Sequence, residues 1–298
     1  GAARRLAGRA LRSGGIMPWS DYRDDIESHF NPRRAVPDFE SYFARYRAAS
    51  EAARARLAAE RDIRYGDGPL ATLDHYPAGT GKGPLVVHIH GGYWRGLDKS
   101  LVEFAAAPLV AMGLPFASLN YDLCPKVTLD RLVAQVMGAI AFLARDAQRF
   151  GHDGRIYLTG DSAGAHLCAM ALAEDWSRHG LDGDFICGGA LYTGIYEIEP
   201  VLHISVNAEI RLTPDLVAPL SPMRHPPRRP VPLLLAVGAA EPTGWIEQTL
   251  DYAEICRRSG CEVEVIRAPG ENHFSMTLSR ADAGHALTRA LAQAVARL

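Results

Sequence analysis

Arg155-Ile156-Tyr157-Leu158-Thr159-Gly160-Asp161-Ser162-Ala163-Gly164, followed by Ala165-His166-Leu167-Cys168-Ala169-Met170-Ala171-Leu172, is the stretch that decides how this chain is read. It opens as an apolar β-type run and closes as a small-residue helical run. Strand, Gly-x-Ser-x-Gly and helix together describe a turn so tight that only glycine fits at its flanks. Such a turn lifts the serine hydroxyl above the sheet. The bare five-residue pattern is cheap; its flanking strand and helix, and the partners found elsewhere in the chain, give it weight.

Outward from this point, short strand candidates occur at residues 62–65, 72–76, 85–90, 116–120, 155–159, 185–192, 232–237 and 261–268. From the third onward they alternate with helical stretches at 101–112, 129–150, 163–176, 245–259 and 280–297. This alternation predicts an α/β fold, a mostly parallel sheet with helices on both faces. The two early strands predict an antiparallel edge. Ahead of them, residues 38–61 show helical spacing, with Phe39, Tyr42, Phe43 and Tyr46 on one face and Asp38 as the expected N-cap. Residues 196–229 break the rhythm and are rich in proline. They are read as a small cap of one or two short helices over the carboxyl ends of the strands, where α/β sheets bind ligands.

Residues 17–298 are thus expected to form one domain, with 1–16 as an N-terminal extension. That extension carries Arg4, Arg5, Arg9 and Arg12 and no acid, and lacks the apolar stretch of a secretory signal. Hydrophobic residues make up 48% of the 298, enough for a large core, and the net charge of −2 argues against nucleic acid or an anionic membrane as partner. No apolar run approaches the ~18 residues of a membrane span. The five cysteines, Cys124, Cys168, Cys187, Cys256 and Cys261, are odd in number and form no C-x-x-C, so buried thiols in a reducing, cytoplasmic setting are expected. A small-molecule substrate is the expected partner, with a second copy of the chain the sole protein partner considered.

A serine hydroxyl is a poor nucleophile until a base takes its proton, and that base must be held by a third group. In sheets carrying this elbow the chain order is Ser, acid, His. Of the histidines beyond Ser162, His273 stands in Pro269-Gly270-Glu271-Asn272-His273-Phe274-Ser275, after the last strand and before the last helix, from where an imidazole can reach the elbow. His166 and His285 fall on helical stretches. Glu241 is the first carboxylate past the strand at 232–237; Glu247 and Asp251 on the next helix compete with it. The oxyanion formed by attack on a carbonyl needs preorganised N–H donors, each worth ~3 kcal/mol. The amide of Ala163 is one candidate. The amides of Gly92 and Tyr93, in His88-Ile89-His90-Gly91-Gly92-Tyr93-Trp94, are the others. His88 and His90 share one side of a strand, but no third ligand suits them, so no metal is expected. His90 is predicted to brace the glycine loop and His88 to lie in the core.

His90-Gly91-Gly92-Tyr93-Trp94 and Gly160-Asp161-Ser162-Ala163-Gly164, together with Asn120-Tyr121-Asp122-Leu123-Cys124-Pro125, Arg211-Leu212-Thr213-Pro214 and Asn272-His273-Phe274-Ser275, resemble the α/β-hydrolase group around kynurenine formamidase (arylformamidase) and the small carboxylesterases. The resemblance runs from about Tyr22 to the C-terminus. It implies the α/β-hydrolase fold and a Ser–acid–His hydrolase acting, without cofactor, on an N-formyl aryl amine or a small carboxylic ester. The triad positions carry over as Ser162, Glu241 and His273, although the group usually has Asp where this chain has Glu241. Tyr93 stands where wider esterase families have a third glycine, so the acyl side is expected to be narrow and to favour formyl or acetyl. Trp94, Tyr192 and Phe274 are aromatics placed either to stack on an aryl leaving group or simply to pack beneath the cap. A non-catalytic binding protein on the same scaffold is the competing reading; such a protein would generally lack one member of the triad.

Overall fold

A computed structural model of the chain describes residues 22, 24–78 and 83–298; the expected extension at 1–16 lies outside them. All eight expected strands are present, each within two residues of its predicted ends: β1 (Glu60–Arg64), β2 (Thr72–Tyr76), β3 (Leu85–Ile89), β4 (Phe116–Leu119), β5 (Ile156–Asp161), β6 (Ile186–Tyr192), β7 (Leu233–Gly238) and β8 (Val263–Ala268). They form one sheet in the order β1-β2-β4-β3-β5-β6-β7-β8. β1 and β2 run antiparallel to their neighbours, and from β4 to β8 every pairing is parallel.

The strand period of two divides the apolar residues between two cores. Leu85, Val87 and Ile89 of β3 face one core with α5 (Leu129–Arg145), α6 (Ala163–Ala173) and α9 (Thr243–Arg258), whereas Val86 faces the other with α3 (Phe39–Arg54), α4 (Ala106–Ala111) and α11 (Ala286–Ala296). Both faces are therefore covered. Strand order reverses between β3 and β5, and the carboxyl ends of strands at such a reversal are where α/β sheets open a crevice.

Several helices depart from expectation. Residues 101–112 are not one helix: 3-10 turns at Lys99–Leu101 and Glu103–Ala105 precede α4. Ion pairs override the helical pattern there. Lys99 Nζ reaches Asp62 and Asp74 at 2.8 and 2.7 Å, and buried Glu103 takes Arg61 at 2.9 Å and Arg54. Residues 280–297 are also interrupted, because Arg280 turns inward to Asp161 and the Asp282 carboxylate caps the Gly284 N–H at 2.8 Å, competing with the helix. Asp38 precedes α3 but its side chain makes no cap bond; it accepts from Ser41 Oγ at 3.2 Å instead. Residues 196–229, the expected cap, hold two short helices, α7 (Asn207–Ile210) and α8 (Pro214–Leu220), between 3-10 turns at Glu199–His203 and Pro222–Arg224. Two further short helices, α1 (Ile26–Phe30) and α2 (Pro32–Ala35), precede α3 where the sequence reading assigned no element. The five cysteines are free thiols, and among the described residues no helix is long and apolar enough to cross a membrane.

His166 illustrates how the pieces are tied. It is fully buried on α6; its Nδ1 accepts the Trp94 indole N–H at 3.2 Å, and its Nε2–H donates to the Leu220 carbonyl at 2.8 Å. One proton on the ring satisfies both bonds, and burial pushes the pKa down to about 4. An unfolded chain protonates this group near 6.5. The unfolded state therefore binds more protons between those values, and stability falls as pH drops through that window, by about 3 kcal/mol in full. Urea denaturation of His166→Gln between pH 6.5 and pH 4 is expected to show a shallower acid slope than the wild type; an unchanged slope would contradict this assignment. Gly164 supplies a second test. A Cβ there would lie 1.9 Å from the Ile89 carbonyl oxygen, so Gly164→Ala is expected to cost about 3 kcal/mol or more, read as a lowered thermal midpoint.

Candidate active site

Ser162 sits between β5 and α6 with φ 54° and ψ −117°, a conformation foreign to an ordinary L-residue. The glycines around it are dictated by clearance. A Cβ on Gly160 would meet the Gly164 carbonyl carbon at 2.5 Å, and one on Gly164 would meet the Ile89 and His90 carbonyl oxygens at 1.9 and 2.7 Å. The turn is pinned from both sides: the Ser162 N–H donates to the Tyr192 carbonyl at 2.9 Å, and the His166 N–H to the Ser162 carbonyl at 3.1 Å.

Glu241 lies just past β7, and its carboxylate folds back onto the strand end, where Oε1 accepts the Gly238 N–H at 2.8 Å. Oε2 lies 2.7 Å from His273 Nδ1, so the acid predicted from chain order meets the predicted base. The two loops are also joined through the backbone. The Ala239 N–H reaches the Ala268 carbonyl at 2.8 Å and the Ala240 N–H reaches the Glu271 carbonyl at 3.0 Å. His273 begins a short helix of its own, α10 (His273–Leu278). Asn272 fixes that helix start by a capping box, accepting the Phe274 and Ser275 N–H groups at 2.9 Å each. Trp245 closes on the imidazole edge to face, with ring centroids 4.4 Å apart.

The glycine loop after β3 lies against the elbow: a Cβ on Gly91 would be 2.9 Å from the Asp161 carbonyl oxygen and 3.3 Å from Ser162 Cβ. Gly92 has φ +109°, and Tyr93, Trp94 and Leu97 also have positive φ at 53°, 56° and 66°. A run of side-chain-bearing residues in this region is costly, so the surroundings must hold it. They do so from several sides. The Tyr93 hydroxyl donates to the Phe30 carbonyl at 2.6 Å. The His90 ring nitrogens lie 2.7 Å from the Gly91 carbonyl and 3.0 Å from Asn120 Oδ1, and Tyr121 stacks on the ring at 4.3 Å. His90 thus braces the loop as its position predicts, and burial pushes its pKa down. His88 is buried, but in a polar cluster rather than an apolar core. Arg280 Nη1 donates to its Nδ1 at 3.2 Å and Nη2 to the Asp161 carboxylate. Burial raises the Asp161 pKa and Arg280 opposes that rise; His88 is pushed well down, first by burial and then by Arg280.

The backbone N–H groups of Gly92 and Tyr93 enter no backbone hydrogen bond among the described residues. The N–H of Ala163, first in α6, has no partner within its helix.

Ser162, Gly92, Tyr93, His273 and Phe274 all line one cleft of about 80 Å³ at the carboxyl ends of the strands. Two of the expected substrate-contacting aromatics do not. Trp94 is 0% exposed and committed to His166; Tyr192 is 0% exposed in the core on the α3 side, with the Arg280 guanidinium 5.2 Å from its ring centroid. Trp94 alternates with the cleft residues Tyr93 and Arg95, so its side chain points into packing. Asn31, Pro32 and Arg33 from α2 and its cap, Phe43 and Tyr46 from α3, and Val206 from the cap complete the wall. The apolar face at Phe39–Tyr46 signals only that α3 packs, not that it packs on the cleft. Arg33 and Arg95 face this opening from two different elements. Burial first, and the neighbouring charge of Arg95 second, push the Arg33 pKa down. Arg95 pairs with the exposed Glu209, and its Nε is buried without a partner among the described residues. A larger cavity of about 330 Å³ lies at the opposite, amino ends of the strands, by Leu172, Trp176 and Arg228, and contains none of the predicted site residues.

Comparison with known proteins agrees with this architecture. The BD-FAE family model matches residues 73–187, the span from β2 to the start of β6 that carries both the glycine loop and the elbow. Kynurenine formamidase of Salmo salar is 31% identical over 92% of this chain and 97% of its own length, and that of Danio rerio 28% identical over the same shares. A solved Silicibacter protein superposes with a TM-score of 0.78 at 26% identity, covering 89% of this chain and 98% of its own. The chain is a hydrolase with the α/β-hydrolase fold, and it belongs to the kynurenine formamidase family.

Proposed function

We propose that the protein is a serine hydrolase that cleaves a small-acyl amide or ester, with an aryl formamide of the N-formylkynurenine type as its substrate. The observation that carries this reading is the shared cleft. The elbow serine and His273 open into one small volume, and the far nitrogen of that imidazole is 2.7 Å from the Glu241 carboxylate. The relatives' name, kynurenine formamidase, supports the aryl formamide.

In the proposed reaction Ser162 Oγ attacks the formyl carbon while its proton passes to His273 Nε2. The carbonyl oxygen becomes an oxyanion held by the N–H groups of Gly92, Tyr93 and Ala163. His273 then gives the proton to the departing aryl amine as the C–N bond breaks, leaving Ser162 formylated. Water, deprotonated by His273, attacks the ester and releases formate, and the proton returns to Oγ. Glu241 holds the imidazole in the tautomer with its proton on Nδ1 and stabilises the imidazolium. The chemistry needs no cofactor.

The glycine loop crowds the serine: a Cβ on Gly91 would lie 3.3 Å from Ser162 Cβ, and Tyr93 lines the cleft beside it, which supports formyl or acetyl over a long acyl chain. Arg33 and Arg95 at the opening support a leaving group that carries a carboxylate; among the described residues the acid paired with Arg95 is the exposed Glu209. The free thiols support a cytoplasmic setting.

Three experiments test the reading. Fluorophosphonate labelling is expected in the wild type and absent in Ser162→Ala, with kcat lowered by about 10⁴-fold or more in Ser162→Ala and about 10⁴-fold in Glu241→Gln. Labelling that persists in Ser162→Ala would defeat the nucleophile assignment, and no labelling at all would favour the binding-protein reading. A panel of formyl, acetyl, butyryl and octanoyl aryl esters with N-formylkynurenine is expected to rank formyl and acetyl first; preference for octanoyl would refute the small cleft. Arg33→Met and Arg95→Met are each expected to lower kcat/KM for N-formylkynurenine about tenfold while leaving neutral phenyl acetate nearly unchanged. Equal losses on both substrates would remove the charge argument.

A further inference from the structure

Thr193 was no part of the sequence reading, yet it sits at the centre of the acid–base pair. It follows β6 directly and is fully buried. Its hydroxyl donates to Glu241 Oε2 at 2.8 Å and lies 2.6 Å from His273 Nδ1, while Oε2 itself is 2.7 Å from Nδ1. The three atoms therefore form a closed triangle.

The proton count in that triangle has one solution. A threonine hydroxyl has a single hydrogen, and here it is given to the carboxylate. Towards Nδ1 the same oxygen can only accept, so Nδ1 must carry the hydrogen and share it between Oε2 and Oγ1. With the proton on Nδ1, the neutral ring leaves Nε2 bare, the form able to take a proton from Ser162.

The backbone points the same way. Thr193 has φ +47°, a region that glycine or asparagine enters easily and a β-branched residue enters at a cost. Its N–H is held by the Ala236 carbonyl at 2.6 Å, which fixes the strand end in that geometry. Local preference thus argues against threonine here, and the hydroxyl is what the position provides in return. Glutamate adds the reason for needing it. Its extra methylene brings one more torsion than aspartate has, and two opposed donors clamp the carboxylate: the Gly238 N–H on Oε1 and the Thr193 hydroxyl on Oε2.

We propose that Thr193 is a positioning residue of the site, whose hydroxyl clamps the Glu241 carboxylate and fixes the His273 proton on Nδ1. This rests on the serine-hydrolase reading above and adds to it a fourth member, required because the acid is a glutamate.

The test uses Thr193→Val, Thr193→Ser and Glu241→Asp in the full chain. Thr193→Val removes the hydroxyl at nearly constant shape and is expected to lower kcat about ten- to a hundredfold, the range for losing a hydrogen bond to a charged group, with KM and thermal midpoint close to wild type. Thr193→Ser keeps the hydroxyl and is expected to recover kcat to within about threefold. The low-field proton NMR signal of Nδ1–H is expected to move in the valine variant and return in the serine variant. In a Glu241→Asp background the further loss on adding Thr193→Val is expected to be clearly smaller, since the pair is coupled. Wild-type kcat in Thr193→Val, a serine variant as impaired as the valine one, or the same loss in both backgrounds each overturns the proposal. Should the valine variant not fold, Thr193→Ala gives the same measurements. Ser162→Ala is assayed beside them: its retained activity would remove the underlying reading, whereas an inactive Ser162→Ala beside a fully active Thr193→Val overturns only the role of Thr193.

Discussion

The whole site depends on how closely α6 approaches the end of β3. Gly164 leaves no room for a single methyl group before the Ile89 and His90 carbonyl oxygens. That contact sets the depth at which α6 begins, and the depth sets the height of Ser162 above the sheet. It also brings the glycine loop against the elbow, so that Gly91 abuts Ser162 Cβ. Ser162 and the proposed oxyanion donors are therefore placed by one packing contact rather than by two independent loops. Backbone clearances of this kind do not relax as side chains do, which makes them suited to holding reactive groups within a few tenths of an ångström.

The second half of the site is assembled differently. The acid and the imidazole come from the ends of β7 and β8, and short backbone bonds from Ala239 and Ala240 to Ala268 and Glu271 lock those ends together. The helix start at Asn272 then fixes where His273 emerges. α3 completes the support from outside: the Tyr46 hydroxyl donates to the Phe274 carbonyl at 2.6 Å, and Tyr42 accepts from Asn272 Nδ2 at 2.9 Å. The N-terminal helices thus serve the site twice, as its wall and as its brace.

Much of this was legible in the sequence because it is written in local patterns. Alternating apolar residues mark strands, and glycines at fixed offsets mark turns, so the eight strands, the elbow and the loop at Gly91–Trp94 could be read directly. The chain order of Ser162, Glu241 and His273 added the pair that the structure joins. What escaped reading is tertiary in origin. Thr193 has no motif, because its value comes from meeting two residues some fifty and eighty positions away. Trp94 and Tyr192 carry the right chemistry for an aryl site, but strand alternation and the positive φ of the loop turn them into the core. The stretch at 101–112 has helical spacing, yet Lys99 and Glu103 are claimed by buried ion pairs that bend it into 3-10 turns. Periodicity sees neither partner.

The order in which the chain supplies these parts has a consequence for its biosynthesis. β3 and β5, with the loop and the elbow, leave the ribosome well before β8 and the capped helix that carries the imidazole. The serine turn and the imidazole that shares its cleft are therefore made far apart in time, and the site of the proposed chemistry can form only after the C-terminal segment docks at the sheet edge. Under the proposed mechanism, reactivity waits for completion of the polypeptide itself.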